Sequence, residues 1–390
     1  MTDGAEFAGV PSVVPRPVAD LEPLLAWLRA GVPTDRRLDF PAGTALPDGR
    51  LDLCKQQLGP DGARLVAEAV ADGAGDSPVR HLLLGTDGLG DEGAEAVSAR
   101  AADAGVHTLY LGCNTITAAG ACRIADRLRA SPQTVRALWL KRNPLGVRAG
   151  QAAAELISAA ERLRTLDLVQ TGLDAPGLTA LADALLAGGR TFERLYLGGN
   201  PLGPSGAEPL ARLVAAGATE ELYAAAAGLG DPGARTIAAA LARAPYGRLR
   251  RLSLASSGIG PEALAGLVAA AAAAGVELLD LGRVRAAAAL GAPDNRLDHA
   301  AADRIGTALT AAPHRLGHLV LANTGARSRE AHRLLDLAPH AATPTRYVFG
   351  KGVATTVRRR LDALAAAVPP PAVAPDVAAV RSVHRTPPPP

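Results

Sequence analysis

An elongated array of α/β units, rather than two or three globular domains, is the fold class predicted by this 390-residue sequence. Three observations carry the prediction. A short L-x-L motif returns ten times, at a spacing near 28 or 29 residues. Most motifs are followed at fixed offsets by a polar residue, a Leu or Ile, and a Gly. Hydrophobic residues make up 48% of the chain but aromatic ones only 3%, so the core is built from Leu, Val and Ala, which suits thin repeating layers.

The motifs run Leu51-Asp-Leu53, Leu82-Leu-Leu84, Leu109-Tyr-Leu111, Leu138-Trp-Leu140 and Leu166-Asp-Leu168. They continue as Leu195-Tyr-Leu197, Leu222-Tyr-Ala224, Leu252-Ser-Leu254, Leu279-Asp-Leu281 and Leu319-Val-Leu321. Successive first leucines lie 31, 27, 29, 28, 29, 27, 30, 27 and 40 residues apart. Alternation of this kind predicts a strand with both leucines facing a core and the residue between them facing away. Five residues on stand Asn114, Asn143 and Asn200, with Gln56, Asp87, Thr171 and Ser257 in the same column; such side chains satisfy backbone groups where the chain leaves the strand. Seven residues on come Leu58, Leu89, Ile116, Leu145, Leu173, Leu202, Leu229 and Ile259. A helix then begins. Asp61, Asp91, Asp174 and Asp231 sit where an N-cap belongs, and Leu65, Ile124, Leu181, Leu210, Ile237 and Leu267 supply its buried stripe. Ala at the other helical positions favours helix and allows close approach to the sheet.

These units resemble the ribonuclease-inhibitor-like subfamily of leucine-rich repeat proteins, whose repeats alternate 28 and 29 residues. The resemblance covers residues 51–340. It implies an α/β right-handed leucine-rich-repeat solenoid, a horseshoe with a parallel sheet on the concave face and helices on the convex face. Such an array needs caps. Residues 1–50 form the N-terminal extension and cap, with Asp20 starting a helix that carries Leu21, Leu24, Leu25, Trp27 and Leu28, and Leu38-Asp-Phe40 as an irregular first strand. In the last repeats the polar and Leu columns reappear at Asn295 and Leu297, which makes 283–294 an insertion after a strand. Beyond 340 the period is lost; 341–368 reads as a C-terminal cap with a helix over 353–367, and 369–390 as a disordered Pro-rich tail.

The column between the leucines is the strongest functional signal. It holds four of the seven Tyr and Trp residues of the whole chain: Tyr110, Trp139, Tyr196 and Tyr223. Small neighbours such as Gly85, Gly112, Gly198 and Gly199 leave the rings exposed. With Lys141 and Arg142 beside Trp139, and Asp167 and Asp280 along the same face, this composition predicts a partner-binding surface of mixed charge. The same rings could instead brace one another across strands. Arg283 and Arg285 on the rim insertion are further candidates for partner contact, although surface loops also lengthen without function.

Other functions find little support. There are 41 basic and 38 acidic residues, a net charge of +3, and only three of the basic ones are Lys, a bias expected of a GC-rich bacterial genome. That balance argues against nucleic acid. The polar, acidic start lacks a signal-peptide pattern and no stretch suits a bilayer, so a cytoplasmic protein without membrane partners is expected. Cys54, Cys113 and Cys122 form no metal or redox pair. Asp87, Asp91 and Glu92 lack the calcium-loop spacing, and His314, His318, His332 and His340 lack a zinc pattern, so neither metal nor cofactor is expected. The leading expectation is a non-catalytic protein–protein interaction module whose protein partner is unidentified, with a homodimer an open alternative. A second expectation, on architectural resemblance to Ran GTPase-activating proteins, is a regulator of a small GTPase. A third, resembling bacterial repeat effectors fused to a ubiquitin ligase, lacks a flanking domain to carry it.

Overall fold

The computed structural model describes residues 12–73, 77–101, 103–130 and 134–384. The chain divides into two compact units, Met1–Gly172 together with Val373–Pro390, and Leu173–Ala372.

In the first unit, α1 (Glu22–Ala30) precedes an antiparallel pair, β1 (Leu38–Phe40) and β2 (Gly43–Ala45). β2 pairs antiparallel with β3 (Arg50–Asp52), and from there the sheet is parallel: β4 (His81–Leu83), β5 (Thr108–Tyr110), β6 (Ala137–Trp139) and β7 (Thr165–Asp167). Helices α2 (Gly59–Ala71), α3 (Gly90–Ala101), α4 (Ala118–Ala130) and α5 (Ala149–Ala159) alternate with these strands. The register places motif on motif, Leu51 beside Leu82, Leu109, Leu138 and Leu166 in turn. These leucines are at most 1% exposed, and each buried Leu contributes about 1.5–3 kcal/mol.

The second unit repeats the plan. Its strands β8 (Phe192–Tyr196), β9 (Thr219–Tyr223), β10 (Arg251–Ser253), β11 (Leu278–Asp280), β12 (His318–Val320) and β13 (Arg346–Val348) pair in parallel. They alternate with α6 (Ala175–Ala187), α7 (Ala207–Ala215), α8 (Gly230–Leu241), α9 (Pro261–Ala273), α10 (His299–Ala311), α11 (Ser328–Leu337) and α12 (Thr355–Leu364). The array runs one strand further than the leucine pattern predicts. Tyr347 and Phe349 stand in the two leucine positions, Tyr347 beside Leu319, and bulkier rings fill the end of the core.

The polar column stitches neighbouring turns together. Asn143 Oδ1 accepts from the amides of Asn114 and Ile116, 2.9 and 3.1 Å away, and its Nδ2 donates to the carbonyls of Leu111 and Leu140, both at 2.9 Å. Asn295 does the same for Ser257, Ile259, Leu254 and Leu281, so the column survives the insertion. Just before it, Lys55, Thr86, Cys113 and Arg142 adopt left-handed backbone, with φ between 55° and 64°. Each residue there forgoes about 1 kcal/mol, offset by an amide bond to the next repeat such as Lys55 N to Gly85 O at 2.8 Å. Asp87 is the odd member. One carboxylate oxygen accepts from the Gln56 amide at 2.6 Å, while Oδ2 is buried without a hydrogen bond.

Four expectations about helix starts need correction. Of the four Asp residues expected to cap the repeat helices, Asp174 alone does so, accepting from Gly177 N at 2.8 Å. Helices α2, α3 and α8 begin at Gly59, Gly90 and Gly230, ahead of Asp61, Asp91 and Asp231, which therefore lie inside the first turn. From there Asp91 reaches the next helix, accepting from Thr117 N and Oγ at 2.7 Å, and Asp231 accepts from Gly260 N. A carboxylate suits either helix N-terminus, since both carry the positive end of a dipole. Asp20 lies in a short 3-10 turn, Val18–Leu21, and does not cap α1.

The terminal segment also differs from the expected disorder. Residues 369–384 are ordered, and α13 (Pro375–Ala379) forms within them. Pro and Ala composition hid this because the segment is held by polar contacts to other parts of the chain. Residues 385–390 lie outside the described residues.

Candidate functional site

In each unit the residues before and between the two motif leucines share the sheet face opposite the helices. The first column, unread in the sequence, supplies Arg50, His81, Thr108, Ala137 and Thr165 in the first unit. In the second unit it supplies Arg194, Glu221, Arg251, Leu278, His318 and Arg346. The signal that would have found it is the strand period itself.

In the first unit, Tyr110 and Trp139 lie on adjacent strands with ring centroids 6.3 Å apart, and Lys141 Nζ stands 5.1 Å from the Tyr110 ring. Arg142 is exposed and donates to Gln170 Oε1 at 2.6 Å. Asp167 is buried; burial pushes its carboxyl up to about 6 against the bond from Val169 N at 2.8 Å and the charge of Lys141. The expected exposure of the rings fails here. Trp139 is 5% exposed and Tyr110 half-buried.

The chain's own C-terminal segment lies along this face. Its helix end is tied to β7 by Thr165 Oγ, which donates to Asp376 at 3.1 Å. Its far end is tied to β3, where Asp52 accepts from Ser382 Oγ at 2.9 Å, from Val383 N, and from His384 N at 2.8 Å. Arg50 donates to Arg381 O at 2.9 Å and Arg37 to Val383 O at 3.3 Å. Thr44 Oγ donates to Asp39 at 2.6 Å and meets His384 Nδ1 at 2.9 Å, so the imidazole N–H at Nδ1 points to the hydroxyl. Burial lowers the His384 pKa despite the nearby Asp52 and Asp39. Beside the segment remains a cavity of about 370 Å³ lined by Cys54, Gln56, Tyr110, Val380 and Ser382 among others. Burial holds the Cys54 thiol well above its ordinary pKa, so it is a poor nucleophile.

In the second unit Tyr196 and Tyr223 stack, with centroids 4.6 Å apart and planes within 7°. Tyr223 Oη donates to Glu221 at 2.7 Å, and Glu221 sits between Arg194 and Arg251, 3.4 and 3.5 Å away. Burial, then Glu221, raise the Tyr223 pKa. Asp280 accepts from Ser253 Oγ and Gly282 N, at 3.1 and 3.0 Å, and burial raises its pKa. Both rings are half-buried, not free. On the insertion Arg283 pairs with Asp294 at 3.2 Å, closing the loop on itself, while Arg285 is exposed.

Among the described residues no group of three or more His, Cys, Asp and Glu is placed to hold a metal ion. No described helix is long and apolar enough to cross a membrane. The fold and this face define a solenoid of strand–turn–helix repeats. The Leucine Rich repeat family matches residues 190–211, which include Leu195, Leu197, Asn200, Leu202 and Gly206 of one unit. That match covers one repeat of the array. No curated protein matches the chain. Among solved structures it is similar to the leucine-rich repeat-containing protein LegL7 from Legionella pneumophila, at 15% identity over 81% of this chain and 89% of that one, with a TM-score of 0.47. It is also similar to TLR13 in its complex with ssRNA13, at 15% identity over 67% of this chain and 33% of that one, with a TM-score of 0.34.

Proposed function

We propose that this chain is a non-catalytic interaction module of the ribonuclease-inhibitor-like kind that takes a protein partner on the sheet face. The observation that carries the reading is the half-exposed Tyr196–Tyr223 stack beside the Arg194–Glu221–Arg251 cluster. Such a pairing offers a rigid apolar platform and charged flanks at little entropic cost to a partner. The near-balanced charge favours a protein over nucleic acid. Within the second unit Asp280 is a further residue of this face, and Arg283 and Arg285 its rim; in the first unit the candidates are Tyr110, Lys141 and Arg142, with Trp139 and Asp167 buried behind them.

The test is affinity capture from a GC-rich bacterial host's soluble lysate, comparing wild type with the Tyr196→Ala/Tyr223→Ala variant. Capture of a defined partner is expected to fall about tenfold or more with circular dichroism unchanged. Equal capture by both chains, or a melting temperature lowered by ten degrees or so, would make the stack a structural brace. A concentration-dependent dimer lost in the variant would identify the partner as a second copy.

A further inference from the structure

The sheet face of the first unit already holds a polypeptide. Asp52 is fully buried, and a buried carboxylate is costly unless its lone pairs are filled. Apart from the local bond from Cys54 N, the donors come from three consecutive residues some 330 positions away in sequence: one hydroxyl, Ser382 Oγ, and two main-chain amides, Val383 N and His384 N. The carbonyls of the same stretch are read as well, that of Arg381 by Arg50 and that of Val383 by Arg37. Most of these contacts go to backbone atoms. The side chains recognised are a hydroxyl and, two residues later, an imidazole against Thr44. The Val383 side chain is not used by any of them. The cavity beside Ser382 and Val380 leaves room for a bulkier segment than the resident one.

We propose that Asp52, Arg50 and Thr44 form a binding site for an extended polypeptide of the pattern Ser/Thr-x-His, that residues 373–384 occupy it in cis, and that a partner protein enters by presenting the same pattern and displacing them. The last clause rests on the protein-binding reading above; the site and its resident segment do not. A tethered segment competes at an effective concentration in the millimolar range, so the site is closed to weak ligands until the segment lets go.

The experiment uses the full-length chain. Val383→Pro removes one of the amides that Asp52 accepts and touches nothing in the sheet. In that variant the backbone amides around 380–384 are expected to exchange with solvent faster than in wild type. A fluorescent peptide of the wild-type sequence 373–384 is then expected to bind the Val383→Pro chain at least about 20-fold more tightly than the wild-type chain, whose site is filled. Adding Asp52→Asn to Val383→Pro should weaken that binding about tenfold or more. Should Val383→Pro not fold, Asp52→Asn alone in the full chain must speed exchange at 382–384. Unchanged exchange in the variants overturns the proposal. So does a peptide that ignores the opened site, or one that binds wild type and variant alike. Failure of the peptide to bind the Val383→Pro chain, with partner capture through Tyr196 and Tyr223 intact, would discard this site and leave the broader function standing; the reverse pattern would do the opposite.

Discussion

Leu197→Asp is expected to leave the protein unfolded or grossly destabilised. Leu197 is fully buried just after β8, as are Leu195 and Leu210, with Leu202 at 1% exposure. A carboxylate in such a leucine layer either stays charged at a desolvation cost or takes up a proton; the loss is about 4 kcal/mol or more. Because each repeat buries its face only on its neighbours, a failed layer also uncovers the next one. Far-UV circular dichroism and a urea titration read the outcome. A cooperative unfolding transition near the wild-type midpoint would show that the second leucine of the motif does not face the core, and the register assigned to the array would fall with it.

Asp87→Asn is expected to act in the opposite direction. Burial pushes the Asp87 carboxyl up to about 8, against the pull of the Gln56, Gln57 and Leu58 amides. An unfolded Asp titrates near 3.8, so the folded state binds the extra proton and stability falls as pH rises from about 4 through about 8. At pH 7 the folded carboxyl is mostly protonated, and holding a proton that the unfolded chain has released costs up to about 4 kcal/mol by this linkage. An Asn side chain keeps the acceptor for Gln56 N and places an NH2 where Oδ2 now has no hydrogen bond, the arrangement Asn143 uses on the carbonyls of Leu111 and Leu140. The variant should be more stable than wild type by roughly 2 kcal/mol at pH 7 and more at pH 8. Asp167, raised to about 6, adds a downward slope below that pH and imidazoles lowered by burial, such as His384, an upward one near 6.5, so the difference between the two proteins from pH 6 to 8 is what isolates Asp87. Denaturation curves for the two proteins that stay parallel from pH 6 to pH 8 would mean that Asp87 is not the buried acid described.

What could be read in the sequence was whatever repeats. Leu51 to Leu279 fall on one period, and Asn295 kept its hydrogen-bonding role across the insertion that delays Leu319. Tyr347 and Phe349 were missed because they fill leucine positions without being Leu. Arg50, Thr165, Arg194 and Glu221 were missed for another reason: the residue before the motif varies freely in type, and only the geometry of a strand gives it a shared face with Tyr110 or Tyr196. The seating of segment 373–384 was out of reach, because its contacts link positions hundreds of residues apart, most of them through backbone atoms that carry no residue identity. Composition spoke for disorder there, since Pro and Ala offer no core; Asp52, Arg50 and Thr165 supply the order instead.

The polar ladder also gives the chain a direction in time. The Asn114 and Ile116 amides are satisfied by Asn143, 29 and 27 residues downstream, just as Ser257 and Ile259 wait for Asn295. On the ribosome, therefore, no turn is finished when its own repeat emerges. Each stays open until most of the following repeat has left the exit tunnel, and closure advances as a zipper one repeat behind synthesis. A pause in translation would strand one unfinished turn at the growing tip, whatever the length of chain already made.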